Sequence, residues 1–236
     1  MHNHSFHVEN CKTCKTRNTS IFCCLKGDLL DDLNFNKNCM TVKKGQGIFF
    51  ENHRPQGLYC INEGKVKISK IGTGGKEQIV RLAKDGDIIG YRSILSGETY
   101  SANAVALVDS DICFIPKESF IRIVQNNTEL AFKLMDLIAK DLKQAENKIT
   151  ELSQKPVRER TAEAILMLLE FYGLDDEGNL NINLTREDLA GIVGTATETL
   201  IRILSDFKTH NIIETNSKKI KVLDKSKLIR IAELYD

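Results

Sequence analysis

The sequence predicts an α+β fold with an N-terminal β-roll of the jelly-roll type, a long dimerisation helix and a C-terminal winged helix-turn-helix. Glycines recur at close intervals from Gly45 to Gly97, which is typical of short strands joined by turns. No glycine occurs between Pro116 and Gly173, where apolar residues follow helical spacing. Residues 184–204 then have the pattern of two short helices and a tight turn.

These changes in pattern predict four parts of the chain. Residues 1–28 form an arm rich in cysteine and histidine, residues 29–116 a sensor β-roll, residues 117–154 the dimerisation helix and residues 155–236 the winged helix-turn-helix. Within the β-roll, strands are expected at 57–61, 65–69, 78–82 and 104–108, with a hairpin connection at 72–75.

Composition excludes several classes of protein. With 236 residues, 42% of them hydrophobic, the chain can fill one or two cores, yet it has no run of about 18 apolar residues for a membrane span. The N-terminus has no apolar export segment, so we expect a cytoplasmic protein without a membrane partner. No nucleophile with its base, phosphate loop or HExxH site is present, and an enzyme is not expected.

The predicted long helix carries an apolar seam. Seven residues follow each other at intervals of four and three, as in a heptad repeat. They are Ala131, Met135, Ile138, Leu142, Ala145, Ile149 and Leu152. A stripe of this kind also arises where a helix packs on its own domain. Strict alternation favours a partner helix, and we predict a homodimer.

The two-helix unit has the features of a DNA reader. Thr185 is positioned to cap the first helix, and Gly191 and Gly194 are expected in the turn. The second helix is expected to begin near Thr195 and to bury Leu200, Ile203 and Leu204. Its other faces carry the residues expected at double-stranded DNA: Thr195, Thr197, Glu198, Ile201 and Arg202. An ordinary helical hairpin of a packed domain would have a similar pattern.

Charge gives mixed support to DNA binding. The net charge is +1, and residues 154–236 hold 12 Lys and Arg against 14 Asp and Glu. Residues 195–222, however, hold five cations against three acids, and a small hairpin within them carries Lys218 and Lys219 at or near its tip. A locally positive face is sufficient for phosphate contacts.

The order of β-roll, long helix and winged helix resembles the Crp/Fnr superfamily of bacterial transcription regulators. The resemblance is most specific at Leu184–Ala190 and Thr197–Leu204. It implies that Glu198 and Arg202 read bases, that Arg186 contacts phosphate and that Ile201 tunes which operator is read. It also implies a palindromic operator and RNA polymerase as a partner. The alternative is a regulatory module that acts through protein contacts instead of DNA.

In the β-roll, the resemblance implies a cyclic-nucleotide-binding fold. Members that bind cyclic AMP carry a Gly-Glu pair for the ribose and an Arg-Ser pair for the phosphate. This chain has Gly90-Tyr91 and Tyr100-Ser101 there. Because a buried nucleotide anion would lack its partners, tight cyclic AMP binding is not expected. Arg92 lies near enough to serve a different anion.

The seven cysteines are an odd number, and metal binding or free thiols are expected rather than a disulfide framework. Members of the oxygen-sensing branch hold a [4Fe–4S] cluster with three N-terminal cysteines and one from the β-roll. The resemblance assigns Cys11, Cys14 and Cys113 to this set, while Ser20 stands where the branch has its next cysteine.

The sequence allows three alternative roles for the cysteines. Cys23 or Cys24 replaces the missing cluster ligand, since both lie about one helical turn further on. Alternatively, zinc binds to His7 together with cysteines. In the third reading there is no metal, and Cys60 and Cys113 are small buried apolar residues, with no role assigned to Cys39.

Overall fold

A computed structural model describes residues 10–232 and confirms the predicted α+β class. The predicted ligand His7 lies outside the described residues. The chain forms two units, Met1–Lys70 with Val80–Lys143, and Ile71–Ile79 with Gln144–Asp236. No helix among residues 10–232 combines the length and apolar character needed to cross a membrane.

The β-roll consists of two four-stranded sheets. The first has the order β1-β8-β3-β6, and the second has the order β2-β7-β4-β5. The strands of the first sheet are β1 (Asn38–Val42), β8 (Ser110–Pro116), β3 (Gly57–Glu63) and β6 (Ile88–Ile89). Those of the second are β2 (Gly47–Phe49), β7 (Asn103–Ala106), β4 (Lys65–Ile71) and β5 (Glu77–Lys84). One apolar cluster of the roll draws on both sheets, with Ile61 and Ile112 from the first and Val66 and Ala104 from the second.

A second apolar cluster joins the first sheet to helices and to the arm. Its helices are α1 (Gly27–Asn36), α2 (Tyr91–Ser96), α3 (Lys117–Gln125) and the start of α4 (Thr128–Gln154). The arm was expected to lie outside the core, and this expectation is wrong for its described part. Cys11, Phe22 and Leu25 are buried in this cluster, because the arm folds into two short 3-10 turns against the sheet.

Residues 117–154 were expected to form a single helix, but they form two. Asn126 ends α3, and the side chain of Asn127 accepts a hydrogen bond from the Leu130 amide at 2.8 Å. Asparagine side chains satisfy the free amides of a helix start, so this pair separates the helices. The seam residues therefore all lie on α4, which is 27 residues long.

The second unit contains the winged helix-turn-helix. Its elements are α5 (Val157–Tyr172), α6 (Arg186–Val193), α7 (Thr197–Thr209), β9 (Ile213–Asn216), β10 (Lys219–Val222) and α8 (Lys225–Ile231). The antiparallel pair β9 and β10 is the predicted hairpin. The sequence did not indicate α8, whose Leu228 is buried and whose start is capped by Asp224.

Candidate functional site

Helix α6 begins at a complete capping box. The Thr185 hydroxyl accepts a hydrogen bond from the Asp188 amide at 3.0 Å, and the Asp188 carboxylate accepts one from the Thr185 amide at 3.2 Å. Two amides that would lack partners at the helix start are thereby satisfied. The predicted cap at Thr185 is confirmed, and it sets where the first helix of the pair begins.

The turn between α6 and α7 differs from its prediction. Gly191 lies inside α6 and only Gly194 forms the turn, with a left-handed φ of 74°. The Thr195 amide donates to the Ala190 carbonyl at 3.1 Å, so Thr195 completes the end of α6 and does not begin α7. Helix α7 starts two residues later than expected, at Thr197.

Helix α7 buries one face and exposes another. Leu200, Leu204 and Phe207 are buried, whereas Ile203 is only half-buried, contrary to its expected place in the core. Thr195 and Thr197 are half-buried near the helix start.

The exposed face of α7 carries Glu198, Ile201 and Arg202. Residues spaced three and four apart are neighbours on a helix surface, so these three side chains form a single patch. Within it, the Arg202 guanidinium lies 3.4 Å from the Thr199 hydroxyl. The patch offers one carboxylate, one apolar surface and one guanidinium.

The hairpin between β9 and β10 is linked to α6. The Arg186 guanidinium donates to the Ser217 carbonyl at the hairpin tip, at 2.9 Å. Lys218 is exposed at the tip, but the Lys219 ammonium lies 2.6 Å from the Glu177 carboxylate. Lys219 therefore already has an acidic partner, whereas Lys218 is exposed to solvent.

A buried arginine that the sequence did not single out supports the turn. The Arg160 side chain, only 8% exposed, donates to the Leu152 carbonyl at 2.9 Å and to the Gly194 carbonyl at 3.2 Å. These carbonyls lie near the ends of α4 and α6, where a cation is favourable. No spacing in the sequence marks Arg160, because its partners are backbone atoms.

The seam on α4 is mostly exposed in this single chain. Met135, Leu142 and Ile149 are 61%, 59% and 68% exposed, and Ile138 is 38% exposed. Ala145 is also exposed, while Ala131 and Leu152 at the two ends are half-buried. An apolar stripe of this length in solvent marks an interaction surface.

Tyr91 and Tyr100, the two tyrosines that the sequence places where a nucleotide was considered, both line a small cavity of the β-roll. The Tyr100 ring stacks on Phe49 at 4.1 Å between ring centres, and its hydroxyl donates to the Gly57 carbonyl at 3.0 Å. The remaining cavity is about 30 Å³ and is lined in part by Tyr91 and Arg92. A space of this size is suited to a few water molecules.

Tyr91 belongs to a network that reaches α4. Its hydroxyl donates to the Asp141 carboxylate at 2.5 Å, and the Arg81 guanidinium lies 3.1 Å from the same oxygen. Burial and the hydrogen bond to Asp141 raise the pKa of Tyr91, so the donor stays protonated. Asp141 precedes the seam residue Leu142, and the network therefore joins Tyr91 and Arg81 to α4.

Four cysteines line a second cavity, of about 40 Å³, between the arm and the first sheet. They are Cys11, Cys14, Cys60 and Cys113. Ser20 lines the same cavity and is buried, its hydroxyl donating to the Arg17 carbonyl at 2.9 Å. We expected Cys23 or Cys24 to replace the missing cluster ligand. Neither residue lines the cavity, so the structure does not place them beside the other cysteines.

The arm is held over this cavity by two asparagines. The Cys11 amide donates to the Asn34 side chain at 2.8 Å, and the Cys14 thiol donates to the Asn62 side chain at 3.3 Å. Burial raises the pKa of the Cys11 thiol and raises that of Cys60 to about 12. Both thiols are therefore protonated at neutral pH in this state.

Cys113 forms a disulfide with Cys39. Metal binding or free thiols were expected rather than a disulfide framework, and this pair departs from that expectation; the assignment of Cys113 as a cluster ligand conflicts with the bond. Strand pairing explains the bond, since β1 and β8 place the two residues directly opposite each other. Cys39, which had no assigned role, is thus the partner of Cys113.

The predicted ligand set does not fit a [4Fe–4S] cluster in this structure. A cluster requires four converging thiolates. Cys113 is bound in a disulfide, and Ser20 stands where a fourth cysteine was expected. The Cys24 thiol donates a hydrogen bond to the Ile21 carbonyl instead. Within residues 10–232, no three Cys, His, Asp or Glu side chains are grouped to hold a metal ion.

Comparisons with known proteins agree with this architecture. Residues 39–127 match the model of the cyclic nucleotide-binding domain, and residues 159–231 match the Crp-like helix-turn-helix domain. The chain is 29% identical over 189 residues to the cyclic AMP receptor protein of Thermus thermophilus, covering 80% of this chain and 85% of that one. It is 27% identical over 226 residues to the fumarate and nitrate reduction regulatory protein of Vibrio cholerae, covering 94% and 90%.

A solved structure with the same fold is FixK2 from Bradyrhizobium japonicum. It superimposes with a TM-score of 0.74 over 83% of this chain and 96% of that chain, at 23% sequence identity. This likeness is one of fold alone.

Proposed function

Since the chain belongs to the Crp/Fnr family of DNA-binding transcription regulators, we propose that it acts as a homodimer that reads a palindromic operator with α7. The observation that carries this proposal is the exposed patch of Glu198, Ile201 and Arg202 on the second helix of a helix-turn-helix. In such a unit the second helix enters the major groove, and its N-terminal residues meet base edges.

Each residue of the patch suits a different base contact. The Arg202 guanidinium matches O6 and N7 of guanine, and the Glu198 carboxylate accepts from the amino group of cytosine. Ile201 offers only apolar contact, which suits a thymine methyl group. Thr195 and Thr197 at the start of α7, with Arg186 and Lys218, are placed for phosphates. Lys219 contributes less, because Glu177 already pairs with it.

The homodimer is proposed from the exposed seam of α4. Pairing two copies along Met135, Leu142 and Ile149 removes these side chains from water, and the two reading helices are then expected about one turn of DNA apart. RNA polymerase is proposed as a further partner and the cytoplasm as the location, and both are supported by the match to a Crp-like helix-turn-helix domain.

Salt dependence of DNA binding tests the proposal. Fluorescence anisotropy of the full chain, with genomic fragments enriched by the protein itself, is expected to show binding that weakens steeply as salt rises, because phosphate contacts release counterions. Supercoiled or linear DNA without an enriched site serves as the control. If no fragment binds at low salt, the chain acts instead through protein contacts.

We also propose that cyclic AMP does not control this protein, although the Thermus thermophilus relative is named for that ligand. The support is local. Tyr91 and Tyr100 stand where the resemblance expects the ribose and phosphate partners, and the cavity that both tyrosines line together with Phe49 is about 30 Å³. Neither tyrosine replaces the carboxylate or guanidinium that a bound nucleotide needs.

Calorimetric titration with cyclic AMP is therefore expected to give no binding heat at ligand concentrations up to about 1 mM, a limit that corresponds to roughly 4 kcal/mol of affinity. Operator affinity measured with and without the nucleotide is expected to be equal. A cyclic AMP receptor protein titrated in parallel provides the positive control. Saturable binding together with a change in operator affinity would contradict the proposal.

The remaining signal is proposed to be redox state, sensed through the cysteines. One disulfide and three further thiols are concentrated around a single cavity of the first unit, at Cys39, Cys113, Cys11, Cys14 and Cys60. The match to a fumarate and nitrate reduction regulatory protein over 94% of this chain supports a regulator of that branch.

A further inference from the structure

The wing, which is the hairpin of β9 and β10, lies beside an acidic turn. This turn consists of residues 175–179, with the sequence Asp-Asp-Glu-Gly-Asn. The Leu180 amide donates to the Ile220 carbonyl at 2.8 Å, and Asn179 forms an isolated antiparallel bridge with Lys221. The chain after the turn therefore runs along β10, and the carboxylates of the turn are placed next to the lysines of the wing.

One lysine of the wing is held by this turn. The Lys219 ammonium lies 2.6 Å from the Glu177 carboxylate and 3.9 Å from that of Asp175. The hydrogen bond to Glu177 raises the pKa of Lys219, so the ammonium keeps its charge in the pair. The neighbouring Lys218 is exposed at the tip. The two adjacent lysines thus face different surroundings, one a carboxylate and the other solvent.

The two acids that contact Lys219 have different roles in the turn. The Asp175 carboxylate accepts hydrogen bonds from the Glu177 amide at 3.0 Å and the Asn179 amide at 2.8 Å, which shapes the turn. The Glu177 side chain is 70% exposed and accepts from the side chains of Lys219 and Asn179. Exposed ion pairs of this kind contribute little to folding stability. Glu177 can therefore be changed without loss of the fold, whereas Asp175 cannot.

We propose that Glu177 is an electrostatic brake on sequence-independent DNA binding. It holds Lys219 away from phosphates, so the tip of the wing meets the duplex with Lys218 and not with Lys219. The inference rests on the DNA-binding function proposed above. It adds an acidic residue that limits the affinity of the regulator for DNA of any sequence.

The brake works because Glu177 and a phosphate compete for the same ammonium. A phosphate contact by Lys219 requires the pair to break, and it leaves the Glu177 carboxylate beside the negatively charged duplex, which repels it. A cation that neutralises a phosphate releases counterions from DNA, and this release drives binding. A cation already neutralised by a carboxylate of the protein gives no such gain.

The wing is held in place at its tip as well. The Arg186 guanidinium at the start of α6 donates to the Ser217 carbonyl at 2.9 Å. With the tip joined to α6 and β10 joined to the acidic turn, Lys219 gains a phosphate only by releasing its own side chain from Glu177. A released Lys219 would add its charge next to Lys218 and Arg186, the two residues proposed for phosphates.

A brake of this kind limits trapping of the regulator on non-operator DNA. Phosphate contacts carry no sequence information, so one further contact strengthens binding to operator and non-operator DNA by the same factor. A genome offers a very large excess of non-operator sites, and stronger binding to all of them reduces the free protein that can reach an operator. The mildly acidic balance of residues 154–236 acts in the same direction.

Glu177→Gln in the full-length chain tests the inference, since glutamine has nearly the same shape without the charge. Fluorescence anisotropy with an operator duplex and a non-operator duplex is expected to show both affinities raised about fivefold at about 0.15 M salt. The salt slope is expected to become steeper by about one. The ratio of the two affinities should stay the same.

Asp176→Asn is the matched control, because it removes the same charge from the same turn. Asp176 is exposed, and the ion pairs of Lys219 are with its neighbours Glu177 and Asp175. Its effect on affinity is expected to stay below about twofold, since charges outside the pair are screened by salt. In a Lys219→Gln background, Glu177→Gln is expected to have no greater effect than Asp176→Asn, because the ammonium it would release is gone.

A phosphocellulose column gives a readout that does not involve DNA. Glu177→Gln is expected to elute at higher salt than the wild type and Asp176→Asn, with the same thermal unfolding temperature as the wild type. Three results would overturn the inference: equal elution of Glu177→Gln and the wild type, an equal rise for Asp176→Asn, or a full effect of Glu177→Gln without Lys219. A wild type that binds no DNA contradicts the proposed function instead, and the column still decides whether Glu177 restrains Lys219.

Discussion

Replacing Arg202 with alanine is expected to lower operator affinity by about 1 to 3 kcal/mol, or roughly 5- to 150-fold, and to relax the preference for the base pair it reads. The reason is geometric. The guanidinium is exposed beside Glu198, and its contact with the Thr199 hydroxyl is long, at 3.4 Å, so it is available to form two hydrogen bonds with guanine. Fluorescence anisotropy with the operator and with single-base variants measures both effects.

Lys218→Ala is the matched control for Arg202→Ala. Lys218 is exposed at the hairpin tip, and a phosphate contact there carries no sequence information. Its loss should weaken binding similarly for all sequences and reduce the salt slope by about one. If Arg202→Ala bound the operator as tightly as the wild type, α7 would not be the reading helix.

A second large effect is expected from Leu142→Glu in the seam of α4. Leu142 is 59% exposed in the single chain and lies at the centre of the apolar stripe. A carboxylate there would have to be buried without a partner on pairing, at a cost of several kcal/mol. The variant is expected to be monomeric and to bind the operator about 100-fold or more weakly, because two linked half-sites bind far more tightly than one.

Analytical ultracentrifugation of the full chain and operator anisotropy measure these two effects together. Asn147→Glu is the control, since Asn147 is exposed on the same helix but away from the seam. It should leave both the dimer and DNA affinity unchanged. A Leu142→Glu protein that stayed dimeric would show that another surface forms the dimer.

Periodic patterns made much of the architecture predictable. Alternation and glycine spacing indicated the strands of the β-roll, and the interval of four and three residues located the seam now found on α4. The cap at Thr185 was predicted, because a cap depends on residues three positions apart, whereas its reciprocal bond from Asp188 appears only in the structure. Patterns of this kind involve residues that are close together in the chain, so they can be recognised in a single sequence.

Boundaries were less predictable. The single helix expected over residues 117–154 is interrupted at Asn126 and Asn127, and α7 begins two residues late because Thr195 completes α6. Asparagine and threonine side chains serve in helices, turns and caps alike. Which role they take depends on neighbouring backbone groups, and these are positioned only when the chain has packed.

The sequence by itself determined the order of β-roll, helix and winged helix-turn-helix, and the family to which this regulator belongs, because these depend on local periodicity and on a motif contiguous in the chain. Tertiary structure alone decided the arrangement of the cysteines. Cys39, Cys60 and Cys113 are separated by 21 and 53 positions, yet strand register places them in one row, and the arm brings Cys11 and Cys14 over them. Pairing between distant strands has no signature in local spacing, so both the disulfide and the four-cysteine cavity emerge only from the fold.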